Sequence, residues 1–154
     1  MADLNARPIV FALSNPTSRS ECTAEDAYRY TGKRAVFASG SPFNSVTMDG
    51  QTFVPGQGNN SYIFPGVGLG IVASQATRVT DEMFSAAAVT LMKEVTEQDL
   101  KTGCIYPPLS RIRDVSAKIA AAVAQIVFAQ GLTDLPMPTD MLDFVKQHMI
   151  DPTY

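Results

Sequence analysis

Uncharged side-chain amides occur at two places in the sequence where turn-forming residues follow or precede regular structure. Asn15 stands in the segment Leu13-Ser14-Asn15-Pro16, and Asn59 and Asn60 close the segment Pro55-Gly-Gln-Gly-Asn-Asn. An amide offers two N–H donors and an acceptor without carrying charge, which suits recognition of a carboxylate or a carboxamide. These residue types and their placement therefore predict a binding site for a small acid.

Each amide also has an ordinary structural explanation. Asn15 directly before Pro16 is typical of an Asx turn, in which the side chain bonds the nearby backbone. Asn59 or Asn60 can cap the helix predicted to follow them. From the residues alone, a binding role and a local structural role both remain open at these positions.

Residues that could break bonds are scarce. Cys22 and Cys104 have no metal-type spacing and no nearby His or Asn constellation, so both are predicted to be small buried hydrophobes. His148 is the only histidine and lies near a predicted helix end. Gly66, Gly68 and Gly70 do not form a dinucleotide loop, because Ile71 stands where G-x-G-x-x-G requires glycine. We predict no catalytic residue and no metal ligand in this chain.

Composition bounds the class of protein. The 154 residues are 45% apolar and 18% charged, which indicates one globular domain or a piece of a larger one. Twelve Lys and Arg against 15 Asp and Glu give a net charge of -3, which offers no basic field for nucleic acid. The longest apolar stretch, residues 62–73, is interrupted by Pro65 and three glycines, so we expect no membrane span. The sequence start shows no targeting pattern and the two cysteines favour a reducing compartment, so we expect a cytoplasmic location, with organellar targeting of the parent enzyme as the alternative.

The elements that must position the amides form an α/β pattern. Residues 8–14 are a short apolar run typical of a buried parallel strand, and residues 34–39 form a second one. Between them lies a short helix, Ala24 to Tyr30, with Thr23 as its cap and Asp26 three residues later. This alternation predicts a right-handed βαβ unit. Ligands collect beyond the carboxyl ends of such strands, and the first strand delivers Asn15 there.

The rest of the chain is predicted to be a hairpin followed by helices, with the change near residue 58. Asp49-Gly50 between two short runs in residues 46–54 indicates a β-hairpin. A helix from about Asn59 to Ala76 carries three glycines that permit close helix packing. Three further helices are predicted: one that starts at Thr80, one from Ile112 to near Gly131, and one that starts at Thr139. One face of the helix that starts at Thr80 is predicted to carry Phe84, Ala87, Ala88, Leu91 and Val95.

Five blocks of residues, in order, resemble the malic enzymes. The similarity covers essentially the whole chain and corresponds to the carboxyl-terminal third of such an enzyme, including the final residues 150–154. It implies that residues 1–130 form the later part of a Rossmann-type NAD(P)-binding domain, a partial parallel sheet, and that residues 131–154 form a helical tail. The blocks are Phe11-Ala-Leu-Ser-Asn-Pro-Thr-Ser, Glu21-Cys-Thr-Ala-Glu, Phe37-Ala-Ser-Gly-Ser-Pro-Phe, Phe53-Val-Pro-Gly-Gln-Gly-Asn-Asn-Ser-Tyr-Ile-Phe-Pro-Gly and Ile105-Tyr-Pro-Pro-Leu.

The resemblance implies a reaction and a set of roles. Malic enzymes oxidise malate with NAD or NADP and lose carbon dioxide to give pyruvate, with Mg or Mn as Lewis acid. By this resemblance Asn15 binds malate near the nicotinamide, and Asn59 and Asn60 are the pair of which at least one holds the malate carboxylate. Ser14 and Asn15 are implied to contact the cofactor. The intact enzyme is implied to be a homo-oligomer.

Several functional groups of the family lie in sequence upstream of the part that this chain matches. They are the catalytic tyrosine and lysine, an arginine for malate, three acidic metal ligands and the cofactor loop. We therefore expect the isolated chain to be inactive and to need the remainder of a malic enzyme chain, and the choice between NAD and NADP stays open. The rivals are a malolactic enzyme, which gives lactate, and a non-catalytic truncated paralogue that acts as an assembly module.

Overall fold

The computed structural model describes residues 1–150 and divides the chain into two compact units. The first unit holds Met1–Asn59 and Val95–Pro107, and the second holds Asn60–Glu94 and Pro108–Tyr154. Residues 151–154, which end the predicted helical tail and the last segment used in the resemblance, lie outside the described residues. The predicted change near residue 58 thus agrees with the division, except that residues 95–107 belong to the first unit.

The first unit is built on a three-stranded parallel sheet. Strand β1 (Ile9–Ala12) leads through helix α1 (Ala24–Tyr30) to the fully buried β2 (Val36–Ser39), which confirms the predicted βαβ unit. A two-residue strand, Gly56–Gln57, pairs parallel to β2, so β2 lies between β1 and this strand in the sheet. Because this strand contains no apolar run, the sequence pattern did not predict it.

Local hydrogen bonds fix the bounds of α1. The Thr23 hydroxyl accepts from the Asp26 backbone N–H at 3.0 Å, as predicted. At the other end the buried Thr31 hydroxyl donates to the Ala27 carbonyl at 2.6 Å and accepts from the Ala35 N–H at 3.1 Å. Thr31 therefore links the end of the helix to the start of β2.

An antiparallel hairpin and a short helix complete the first unit. Strands β3 (Val46–Met48) and β4 (Gln51–Phe53) pair across Asp49 and Gly50, whose φ angles are 49° and 76°. Two positive φ angles are what a two-residue hairpin turn requires, so the predicted hairpin is confirmed. We number the parallel strand Gly56–Gln57 as β5. Helix α4 (Glu97–Lys101), which was not predicted, has a reciprocal cap between Thr96 and Asp99.

The aromatic ring of Tyr28 lies at the centre of the first unit's core. It stacks on Phe53 with ring centroids 4.7 Å apart and meets Phe37 edge-on at 6.1 Å. Its hydroxyl is buried and has no hydrogen-bond partner among the described residues. Burial, with a smaller contribution from Cys104, raises the pKa of Tyr28 to about 12. The core thus carries one polar atom that the fold does not satisfy.

Replacing Tyr28 by phenylalanine should raise the free energy of unfolding by about 1 kcal/mol, because an unsatisfied buried hydroxyl costs roughly that much. The pKa is raised above its ordinary value of 10.0, so the contribution of Tyr28 to stability is complete below pH 10.0 and is lost as pH rises toward about 12. The variant should lack that alkaline loss. Urea unfolding across this pH range measures both effects, with Tyr30→Phe, whose side chain is 77% exposed, as the control. A destabilised Tyr28→Phe would contradict the prediction.

The second unit is helical. Its elements are a 3-10 turn at Asn60–Tyr62, α2 (Phe64–Ala73), α3 (Asp81–Lys93), a 3-10 turn at Leu109–Arg111, α5 (Ile112–Ala129) and α6 (Met141–Lys146). Helix α5 is central, because it packs against α2, α3 and α6. Its bounds confirm the predicted long helix that ends near Gly131. None of the helices among the described residues has the length and apolarity needed to cross a bilayer.

Two predicted helix caps were wrong. Thr80 precedes α3, but its hydroxyl is buried and caps no backbone N–H, so the helix begins without a side-chain cap. Asp140, not Thr139, caps α6 by accepting from the Asp143 N–H at 2.8 Å. The buried face of α3 is also shifted: Met83, Ala87 and Leu91 are buried, whereas Phe84 of the predicted face is 41% exposed.

Candidate functional site

The carboxyl ends of the three parallel strands meet at one edge of the first unit's sheet. Strand β1 ends at Ala12, β2 at Ser39 and β5 at Gln57, and all three run in the same direction. The segments that follow them therefore emerge at this edge, which we call the amide edge: residues 13–16, 40–41 and 58–59. Ser14, Asn15 and Asn59 of the predicted site lie in these segments.

Backbone contacts bind the three segments together. The Gly40 N–H donates to the Ala12 carbonyl at 3.1 Å, and the Gly58 N–H donates to the Ser39 carbonyl at 2.8 Å. The Gln57 side-chain amide donates to the Gly40 carbonyl at 3.1 Å. The sheet and these hydrogen bonds therefore fix the positions of the three segments of the amide edge.

Glycine is required where the first two segments cross. A Cβ on Gly40 would lie 2.2 Å from the Leu13 carbonyl oxygen and 3.0 Å from Nδ2 of Asn15. A Cβ on Gly58 would lie 3.2 Å from the Leu13 side chain. Sequence reasoning did not single out Gly40, although glycine directly after a buried strand is a usable signal of close backbone approach.

Asn15 is held by a side chain distant in sequence. The Ser41 hydroxyl donates to Oδ1 of Asn15, which is exposed and joined to Pro16 by a cis peptide bond. This contact takes the place of the bond to nearby backbone that an Asx turn would make. Nδ2 has no hydrogen-bond partner among the described residues, so its two N–H donors are not used within this part of the chain.

Ser14 is paired with an acid that sequence reasoning gave no role. Its hydroxyl donates to Oε1 of Glu21 at 2.5 Å, and its backbone N–H donates to Oε2 at 3.3 Å. The Ser14 hydroxyl is the main cause of the lowered pKa of Glu21, with backbone N–H groups as further causes. Because Ser14 gives its proton to Glu21, it faces a ligand as a hydrogen-bond acceptor. That suits an amide N–H of a ligand better than a carboxylate.

Asn59 and Asn60 fall in different units. Asn59 is half-buried at the amide edge, and its backbone N–H donates to the Gln57 carbonyl at 3.1 Å. Asn60 is exposed and is the first residue of the 3-10 turn that opens the second unit. Ile63, not either asparagine, occupies the capping position of α2. Neither amide therefore caps α2 itself, whereas a local structural role of Asn59 directly before the 3-10 turn stays open.

Neither cysteine has the surroundings of an activated nucleophile. Cys22 is half-buried, and burial followed by the charges of Asp26 and Glu21 raises the pKa of its thiol. Cys104 is also half-buried, with Sγ 3.3 Å from the Tyr106 carbonyl oxygen. Within residues 1–150, no three His, Cys, Asp or Glu side chains are grouped closely enough to hold a metal ion.

Comparison with known proteins identifies the family. A family model described as "Malic enzyme, NAD binding domain" matches residues 1–128. The chain belongs to the malic enzyme family. It is 54% identical over 155 residues to the NADP-dependent malic enzyme of Vitis vinifera and 53% identical over 156 residues to the mitochondrial NADP-dependent malic enzyme of Mus musculus.

A solved structure of the family has the same fold. The crystal structure of Entamoeba histolytica malic enzyme superposes with a TM-score of 0.69 at 26% sequence identity, covering 92% of this chain and 26% of that one. The chain likewise spans 26% of the length of the grape and mouse relatives. The predicted Rossmann-type α/β fold and the predicted membership of the malic enzyme family are both confirmed.

The amide edge fits part of a nicotinamide cofactor. A carboxamide presents one acceptor and two donors, and the edge offers the complement: N–H donors on Asn15 and an acceptor oxygen on Ser14. The described residues do not fit a divalent cation, since they bring no three His, Cys, Asp or Glu side chains together. This part of a malic enzyme can orient a ligand, and we assign no step through a metal to it.

Proposed function

We propose that this chain forms the edge of a malic enzyme that holds malate and the nicotinamide of NADP during oxidation and decarboxylation to pyruvate. The convergence of the Asn15 and Asn59 segments at one sheet edge carries the proposal. NADP is favoured over NAD because the grape and mouse relatives are named NADP-dependent. The mouse relative is mitochondrial, so a cytoplasmic location for this chain stays a prediction.

Asn15 has the central role in the proposal. Its Nδ2 donates to a carboxylate oxygen of malate, while the Ser41 hydroxyl on Oδ1 keeps the amide from rotating. Asn59 donates to the same small acid from the following segment, and Ser14 accepts from the nicotinamide amide. A malate contact of Asn60 stays a prediction from the resemblance. Hydride transfer requires the substrate carbon and the nicotinamide ring to meet in a near-attack geometry, so these contacts act by orientation.

The groups that break bonds belong, in this proposal, to the rest of the malic enzyme. The grape and mouse relatives are about four times longer than the matched region, since the chain spans 26% of each. General acid and base, metal ligands and the cofactor loop are assigned to that remainder, as is assembly into a homo-oligomer. The chain alone should show no malate-dependent reduction of NADP with Mn²⁺ present. Turnover that copurifies with the isolated chain would overturn this division of labour.

Asn15→Ala in the full-length enzyme that contains this chain tests the substrate role. We expect kcat/KM for malate to fall by about tenfold or more, equivalent to about 1.4 kcal/mol of transition-state stabilisation. The KM for NADP should change less. Asn44→Ala, which removes an exposed amide from another loop, is the matched control and should leave kcat/KM unchanged.

Three outcomes would contradict the proposal. An unchanged kcat/KM in Asn15→Ala would remove this residue from the substrate site. Formation of lactate, instead of pyruvate and NADPH, would assign the chain to the malolactic reaction. Stable full-length protein with no activity toward malate would favour the non-catalytic assembly module.

A further inference from the structure

A basic cavity of about 290 Å³ lies in the first unit, at the end of the sheet opposite the amide edge. Arg7 precedes β1 and Arg34 precedes β2, so both stand at the amino ends of parallel strands. Lys33 and Lys101 complete the basic lining, and the remaining lining residues are neutral: Ala6, Ala35, Gln51, Phe53, Leu100 and Gly103. Four of the chain's 12 Lys and Arg therefore line one cavity that has no acid in its wall.

Most of this positive charge is uncompensated. Lys33 is paired with Asp49 of the hairpin turn. Arg34 donates to the carbonyls of Ala2, Asn5, Ala6 and Thr31 at 3.0–3.4 Å, but these neutral acceptors satisfy its N–H groups without cancelling its charge. Arg7 and Lys101 are exposed and have no ion-pair or hydrogen-bond partner within residues 1–150. In a protein of net charge -3, this is a local excess of three cations.

The chemistry of the lining selects a kind of anion. Arg7 offers a planar fork of donors that matches two phosphate oxygens, and Lys101 offers a point charge with three donors. The Arg34 guanidinium, also in the lining, adds a third positive charge. The buried Phe53 and half-exposed Leu100 form an apolar wall that limits screening by water. A single carboxylate would compensate one of three cations, whereas a phosphate group or a pyrophosphate compensates two or more.

We propose that this cavity, lined by Arg7, Arg34 and Lys101, binds a phosphate-bearing anion of the phosphomonoester or pyrophosphate class. The site is independent of the proposed function, because it lies at the amino ends of the strands and uses none of the amide-edge residues. An anion held here does not compete directly with a ligand at Asn15. Binding couples the segment before β1 to helix α4, since Arg7 and Lys101 belong to these two parts of the unit.

Titration of the 154-residue chain with inorganic pyrophosphate, by calorimetry in metal-free buffer at constant ionic strength, tests the proposal. We expect saturable binding, and the double variant Arg7→Gln/Lys101→Gln should weaken it about tenfold or more. The control Lys93→Gln/Lys146→Gln removes the same charge from two exposed positions in the second unit and should bind like the unmodified chain. Because Arg7 and Lys101 have no partners in the described part of the chain, their variant should keep the thermal midpoint of the ligand-free chain.

A variant that keeps both positive charges separates loss of binding from loss of stability. Arg7→Lys/Lys101→Arg should retain binding to within a few-fold, even if the glutamine variant loses stability. Absence of saturable binding in the unmodified chain would overturn the proposal, as would equal weakening in the second-unit control. Citrate binding as tight as pyrophosphate would overturn the assignment to phosphate chemistry.

Discussion

Gly70→Ala should destabilise the second unit by about 2 kcal/mol, because helix α2 packs closely against α5 at that residue. A Cβ on Gly70 would lie 2.7 Å from the Ala120 carbonyl oxygen and 2.8 Å from Cβ of Val123. One turn earlier, a Cβ on Gly66 would lie 2.7 Å from Cβ of Ile119. Forcing an extra carbon into a packed core typically costs about 1–3 kcal/mol, since side chains and backbone must shift.

The same helix supplies a control of opposite sign. A Cβ on Gly68 would have nothing within 4 Å, because this residue faces away from α5. Alanine is favoured over glycine in a helix interior by about 1 kcal/mol, so Gly68→Ala should stabilise the chain by that amount. Denaturant midpoints of Gly66→Ala, Gly68→Ala and Gly70→Ala measure the difference. Equal effects at all three positions would show that α2 does not depend on close contact with α5.

Structure that local bonds determine could be predicted from the sequence. The cap of α1 needs only Thr23 and Asp26, three residues apart, and the hairpin turn needs only Asp49 and Gly50. Both were predicted, as was the close packing permitted by the glycines of α2. Such elements form because neighbouring residues satisfy each other's backbone groups, and that information is contained in a short segment.

Structure that distant partners determine could not be predicted. Strand β5 consists of Gly56 and Gln57 and exists because Ala38 and Ser39 of β2 supply its hydrogen bonds. The Thr80 hydroxyl looked like a cap in sequence, but it is buried and leaves the helix end uncapped. For β5 a tertiary neighbour supplies what the local pattern lacks, whereas at Thr80 the expected local bond is not formed.

Some features of the candidate site were likewise predicted from the sequence, and others were not. Asn15 was predicted to reach the carboxyl edge because it follows a recognisable apolar strand. Its partner Ser41 and the Ser14–Glu21 pair were missed, because each joins residues of different segments. Asn59 lies at the same edge because of β5, which the sequence did not reveal. The position of Asn15 at the sheet edge was therefore predictable, whereas the contacts that orient its amide required the fold.

Gly40→Ala should lower kcat/KM for malate by about 100-fold in the full-length enzyme, through displacement of Asn15. The Cβ would lie 2.2 Å from the Leu13 carbonyl oxygen, against 3.4–4 Å for an ordinary contact, so the backbone must move by more than about 1 Å. Displacements of this size at a reacting centre cost about two orders of magnitude in rate. Because the Gly40 N–H also bonds Ala12, thermal stability should fall as well.

Comparing activity with stability separates this steric effect from general unfolding. At a temperature well below the midpoint of the variant, folded Gly40→Ala enzyme should still show the loss of kcat/KM. The matched control, Gly68→Ala, adds the same methyl group in open space and should keep full activity. If folded Gly40→Ala enzyme retained normal kcat/KM, the position of the Leu13–Asn15 segment would not limit catalysis. In that case the amides of this edge would be structural groups, and malate would be oriented by residues of another part of the enzyme.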